Sequence, residues 1–209
     1  MSWDRTRLRK RTTAETPTLA ASGLWTEKTM KKELIKKSLE TGELHLTFWQ
    51  REGHYGLVIY LLIIPTIFLF FFIKDVINDN FERAKPEFLV IGLIACGLSF
   101  VIYRLQKKRL KFVTIETKLD RDQLTQIIEL TGEELKWRPH FIDDQVIIAK
   151  TFPGFWSGSW GEQITIIFDK GKIFVNSICD PDSRSSVFSN GRNTKNINLL
   201  VERVKAASR

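Results

Sequence analysis

From Tyr55 to Ile73 the chain runs nineteen residues without a charge, with GLVIYLLIIPTIFLFFF at its centre. At a rise of ~1.5 Å per residue, a helix over this run reaches about the ~30 Å of a bilayer's hydrocarbon core, which predicts a membrane-spanning helix over residues 55–73. Pro65, in mid-span, removes a backbone donor and predicts a kink that a neighbouring helix relieves. A second uncharged run, Phe88 to Tyr103, supplies sixteen residues, roughly 24 Å of helix. Arg104 and Lys107 can snorkel to make up the shortfall, which puts a second span at 88–106. A buried hairpin in a water-soluble protein is the competing reading, and 209 residues leave little chain to wrap two such runs. Gly92, Gly97 and Ser99 give the second helix a small-residue surface for close packing against the first.

The charges around these runs give an orientation. The short connection 74–87 holds three basic and four acidic residues, whereas residues 1–54 hold eleven basic and seven acidic, and RLQKKRLK at 104–111 adds five positives and no acid. The excess of positive charge stays in the cytoplasm, so both termini are expected there and the connection outside. The expected location is a multi-pass membrane protein with two spans, in the plasma (inner) membrane of a bacterium.

The net charge of +8 and pI near 9.5 suit an anionic partner: nucleic acid, an anionic membrane surface or an acidic protein. The basic N-terminal run RTRLRKR is already explained by the orientation rule, so no nucleic-acid partner is expected. Residues 1–26 read as a disordered basic segment without the apolar core of a secretory signal, and Asp4 and Glu15 count against a transit peptide. Cys96 in the second apolar run and Cys179 at the end of a predicted strand are too differently placed to bridge, and both are expected as free thiols.

Residues 27–54 carry an amphipathic helix, with Met30, Leu34, Ile35 and Leu39 beside Lys31, Lys32, Lys36 and Lys37. Such a helix lies on an anionic leaflet or docks on the soluble domain. ELHLTFWQ, at 43–50, is either an extra strand or the start of the first span.

Residues 111–207 predict one α+β domain in the order β-α-β-β-β-β-α, an antiparallel sheet with helices on one face. Strand alternation covers Lys111 to Leu119, Asp120 is an N-cap, and Leu124, Ile127 and Ile128 follow at helical spacing to Gly132. ELKWRPHFI and QVIIAKTF flank a tight turn at Asp143 and Asp144, with Pro139 marking an edge or bulge. QITIIFD and KIFVNSI flank Lys170 and Gly171, a hairpin signal. Asn193 or Thr194 caps a last helix with Ile197, Leu200, Val201 and Val204 on one face.

No catalytic or metal-binding pattern emerges. His45, His54 and His140 have no ligand spacing, no phosphate-loop or dinucleotide motif occurs, and neighbouring acids such as Asp143 with Asp144 point apart. No cofactor is expected. Two features invite binding. The loop TFPGFWSGSWGE, 151–162, concentrates Phe152, Phe155, Trp156 and Trp160 among glycines, as a membrane-interface or partner loop or as a lid on the domain's own core. The residues Arg104, Lys107, Lys108, Arg109, Arg184, Arg192 and Lys195 are candidates for an anion or lipid headgroup, the last three near the start of the final helix. The function these features favour is a non-catalytic integral membrane protein. Its cytoplasmic domain is expected to bind, scaffold or sense at the leaflet, with the lipid bilayer and anionic headgroups as partners. The alternative is a subunit or assembly factor that contacts other membrane proteins, and a membrane-bound enzyme is the least favoured.

Overall fold

A computed structural model of the chain describes residues 32–78, 87–154, 159–187 and 189–208. The basic segment 1–26, Met30, most of the connection 74–87, and Phe155 and Trp156 lie outside them. The elements are helix α1 (32–41), then α2 (Phe48–Ile77), α3 (Glu87–Arg109), β1 (Val113–Glu116), α4 (Arg121–Glu134), β2 (Arg138–Ile142), β3 (Val146–Lys150), β4 (Glu162–Asp169), β5 (Lys172–Cys179) and α5 (Arg192–Ala207).

Helix α2 starts seven residues before the uncharged run because Thr47 and Gln50 form a reciprocal capping box, which satisfies first-turn amides that would otherwise lack partners. The segment ELHLTFWQ therefore divides: Phe48 to Gln50 are helical, and Glu43 forms a lone antiparallel bridge to Lys111. Helix α1 folds back on this segment, Ser38 Oγ accepting from the His45 N–H at 2.9 Å.

Helices α2 and α3 pack as an antiparallel hairpin. Tyr55 meets Tyr103 and Phe68 stacks on Phe88, with ring centroids 5.4 and 5.1 Å apart. Gly92 lies against Pro65, where an added Cβ would stand 3.3 Å from the proline ring. Gly97 faces open space instead, so only part of the expected small-residue surface meets the first helix. Both helices are long and apolar enough to cross a membrane, and only 6% and 11% of their most apolar stretches are buried. Most of each stretch therefore faces outward from the described residues.

The five strands form one antiparallel sheet in the order β1-β5-β4-β3-β2. Its tightest turn is local chemistry: Lys170 and Gly171 both take positive φ, 43° and 75°, as a two-residue hairpin with right-handed strand twist requires. Pro139 sits on edge strand β2, and the register slips between it and Phe141. An edge tolerates a residue that cannot donate to the ladder.

Helices α4 and α5 cover one face of the sheet, burying Ile128, Leu200 and Val204 against Ile164, Ile166 and Val175. Each such side chain contributes about 1.5–3 kcal/mol by leaving water. The opposite face receives the base of the α2–α3 hairpin. Leu44, Leu110 and Ile178 form a second apolar cluster there with Leu46, Tyr55 and Phe112. Asn176 reaches across from β5, its Nδ2 donating to the carbonyls of Arg109 and Lys111 at 2.8 and 3.0 Å. The Arg109 carbonyl is at the end of α3, where no intrahelical partner exists for it, and Lys111 lies in the turn just beyond.

Three local expectations are corrected. Strand β1 spans only Val113–Glu116, because Lys111 is taken by the bridge to Glu43 and Leu110 by the second cluster. Gly132 does not end α4, which runs to Glu134, and the reversal falls at Lys136 with φ 57°. The N-cap of α5 is Gly191, not Asn193 or Thr194. Asp120 does cap α4, in a capping box with Gln123.

Candidate anion-binding site

The end of α3 carries Lys108 and Arg109, and the chain turns through Leu110 to Lys111 before entering the sheet. The N-terminus of α5 comes up beside this turn because β5 ends at Cys179 and the following loop returns along the hairpin base. Between them lies a cavity of about 350 Å³ lined by Lys108, Arg109, Lys111, Ser177, Asn190, Gly191, Asn193 and Thr194, with Ser189 and Ile197 completing the wall. No carboxylate lines it, and among the described residues none of its three cations forms a salt bridge.

The α5 end adds to this polarity. Gly191 takes φ 76° and offers no side chain to cap the helix. The first-turn amides and the helix dipole thus give partial positive charge at the cavity wall without a carboxylate or hydroxyl neutralising it. Asn193, the residue expected to cap, is turned inward instead: its Oδ1 accepts from Ser177 Oγ at 3.0 Å. Asn196 donates to the same hydroxyl at 3.1 Å and accepts from the Trp137 indole at 3.1 Å. This buried chain of hydrogen bonds fixes α5 on the sheet, and so fixes its N-terminus relative to the lysines. Arg109 is held by a donated bond from Nη1 to the Val187 carbonyl.

Of the candidate cations, the structure brings Lys108 and Arg109 together at the cavity. Lys111, read from sequence as a strand residue, joins them. Arg104 stacks over Phe100 on α3, and Arg184 over Trp160, at 5.8 and 4.8 Å. Lys107 is exposed. Arg192 opens α5 but does not line the cavity. Lys195 faces a different groove, shared with Glu134 and Glu202, whose acids oppose an anion.

The aromatic loop departs from its roots in β3 and β4. Phe152 and Trp160 do not fold back into the domain's core; they are 60% and 45% exposed. Beneath them Glu162, 1% exposed, accepts from Ser159 Oγ at 2.6 Å and from Thr151 Oγ1, so both carboxylate oxygens are occupied in tying the loop shut. Neighbouring Lys150, also buried, reaches Asp180 and Asp182 at 2.8 and 2.7 Å. Burial pulls the Lys150 amine down, and the two carboxylates outweigh it, so its pKa is raised. Burial pushes the Cys179 thiol up, against the opposing influence of Ser186, Arg109 and Asn193. Among the described residues no group of three His, Cys, Asp or Glu side chains could hold a metal ion. Sequence reasoning passed over Lys150, Asp180 and Asp182 because their partnership spans 30 and 32 residues.

Comparison with family models, with curated proteins and with solved structures returned no match.

Proposed function

We propose that the chain is a two-span membrane protein whose cytoplasmic α+β domain is a non-catalytic module that binds anionic lipid headgroups where the second span emerges. The observation that carries the reading is the acid-free cavity bounded by Lys108, Arg109, Lys111 and the start of α5, which no side chain caps. Lys108 follows Tyr103, the last residue of the second uncharged run, by five residues, about 7.5 Å of helix. A cation cluster at that height meets the phosphate layer of the leaflet that the positive-inside rule makes cytoplasmic. The exposed, apolar flanks of α2 and α3 support the crossing itself, since water would penalise so large a continuous apolar surface.

Native mass spectrometry of the full chain, ejected from nanodiscs of mixed phosphatidylcholine and phosphatidylglycerol, tests the headgroup reading. Retention of phosphatidylglycerol over phosphatidylcholine is expected, together with its loss in the triple variant Lys108→Ala, Arg109→Ala, Lys111→Ala. Equal retention of the two lipids would sink it. Separately, release of the chain from membranes by alkaline carbonate would rule out the spans, and a terminal tag reached only from outside would rule out the orientation.

A further inference from the structure

The loop after β5 is clasped to the first turns of α2. Gln50 Nε2 donates to Asp182 Oδ2 at 3.3 Å, Pro181 lies directly on the backbone of Gly53, and Ser185 Oγ accepts from the Leu57 N–H at 3.0 Å. These contacts run along one side of α2, and small residues at 53 and 56 leave the loop room to reach the helix backbone. The clasp fixes a height. Gln50 and Gly53 precede Tyr55, the start of the uncharged run 55–73, by about 7.5 and 3 Å, and Leu57 lies about 3 Å past it.

The roots of the aromatic loop are joined to the same clasp. Ser183 Oγ donates to the Trp160 carbonyl at 3.4 Å, the Asp180 N–H donates to the Gly161 carbonyl at 2.9 Å, and Lys150 ties the end of β3 to Asp180 and Asp182. The roots of the exposed Phe152 and Trp160, 60% and 45% exposed, are thereby joined to the loop that clasps α2 between Gln50 and Leu57, where the uncharged run of α2 begins. Phe152 and Trp160 each lie under a guanidinium, Arg138 over Phe152 at 5.2 Å and Arg184 over Trp160 at 4.8 Å. Rings that seek the interface, paired with cations that seek phosphate, match the headgroup layer of an anionic leaflet.

We infer that Phe152 and Trp160, with Arg138 and Arg184, form a second foot of the domain that seats in the headgroup layer of the leaflet from which α2 starts. This rests on the membrane reading above, and differs from it in that the foot binds through aromatic rings, away from the cationic cavity. It sets the tilt of the sheet against the membrane, since one end of the sheet is pinned twice. The opposite end, at Lys170, lies the eight residues of β4 away, about 25 Å.

Spin-label accessibility in vesicles containing phosphatidylglycerol tests the inference on the full chain with Cys96→Ala. Labels are placed singly by Phe152→Cys, Trp160→Cys, Lys170→Cys and, in mid-span, Leu93→Cys. Labels at 152 and 160 are expected to favour collision with oxygen over a nickel chelate by several-fold relative to the label at 170, and to approach the label at 93. If 152 and 160 match 170 in nickel accessibility while 93 stays in the oxygen-rich interior, the foot is overturned and the spans stand. Shielding of 152 and 160 from both reagents would assign the loop to a protein contact and also overturn it. A nickel-accessible label at 93 would remove the membrane reading, and the foot with it.

Discussion

Gly53 of α2 and Pro181 of the loop after β5 meet backbone to backbone: a Cβ on Gly53 would stand 2.1 Å from the Pro181 carbonyl oxygen. Neither chain segment can yield easily, one being a helix and the other a loop pinned by Lys150. Gly53→Ala is therefore expected to destabilise the folded chain by about 1–3 kcal/mol, as overpacking does, despite the better helix propensity of alanine. Gly97→Ala, with nothing within 4 Å of its added Cβ, should be neutral or stabilising by up to ~1 kcal/mol. Thermal unfolding in detergent, followed by circular dichroism, reads both. Equal Tm values for the two variants would contradict the contact.

Lys150 holds two carboxylates in a site where its side chain and that of Asp180 are each 8% exposed. Lys150→Met leaves Asp180 buried without its cation, a change that costs about 3–5 kcal/mol in comparable settings. Adding Asp180→Asn and Asp182→Asn should restore most of the loss. The amine's folded pKa is raised, so the ion pair's stabilisation is complete below the ordinary lysine pKa, ~10.4. It is lost as pH climbs through the folded value. Melts taken from pH 8 to above 11 should show an alkaline decline in the parent that is absent from the triple variant.

What was legible in the sequence was local. The Lys170–Gly171 turn, the Asp120 cap and the two uncharged runs are each specified by residues within a few positions of one another; the turn and the cap take the expected form, and the runs lie within two long apolar helices, Phe48–Ile77 and Glu87–Arg109. The clasp was not legible, because Leu57 and Ser185 are 128 residues apart and nothing in REGHYGL announces that Gly53 and Gly56 face a loop. The candidate cavity was half visible: Lys108 and Arg109 stood out as charge, but Lys111 reads as a strand residue until the bridge to Glu43 removes it from the sheet. The cap of α5 was misplaced because Asn193 is a good cap by type, and only the tertiary fold shows it spent on Ser177.

Lys136 takes φ 57° where α4 gives way to β2, and its side chain is exposed. A side chain with a Cβ carries a penalty of about 1–2 kcal/mol in this left-handed region, which glycine avoids. Lys136→Gly should raise stability by about 0.5–1 kcal/mol, the gain being trimmed by the greater freedom of glycine in the unfolded chain. Chemical denaturation midpoints of parent and variant check this. A fall in the midpoint would show that the lysine side chain contributes contacts of its own.

Cys179 closes β5 at 6% exposure, and Asn193 Nδ2 lies 3.9 Å from its sulfur. Burial favours the neutral thiol, so its pKa is raised above the ordinary value. The thiolate is the reactive form, and here it is both scarce and shielded. At pH 8, iodoacetamide should alkylate Cys179 in the folded chain on the order of 100-fold more slowly than in denaturant, reaction requiring local opening of the β5–α5 junction. The raised pKa also has a sign for stability: its contribution is complete below the unfolded thiol's ~8.5 and fades as pH rises through the folded value. Asn193→Ala removes a polar neighbour and loosens the junction through Ser177, so it should speed alkylation without touching the hairpin. Time-resolved mass spectrometry of the Cys96→Ala chain isolates this one thiol. Alkylation as fast in the folded parent as in denaturant would mean that the junction anchoring α5, and with it the wall of the cationic cavity, is not closed.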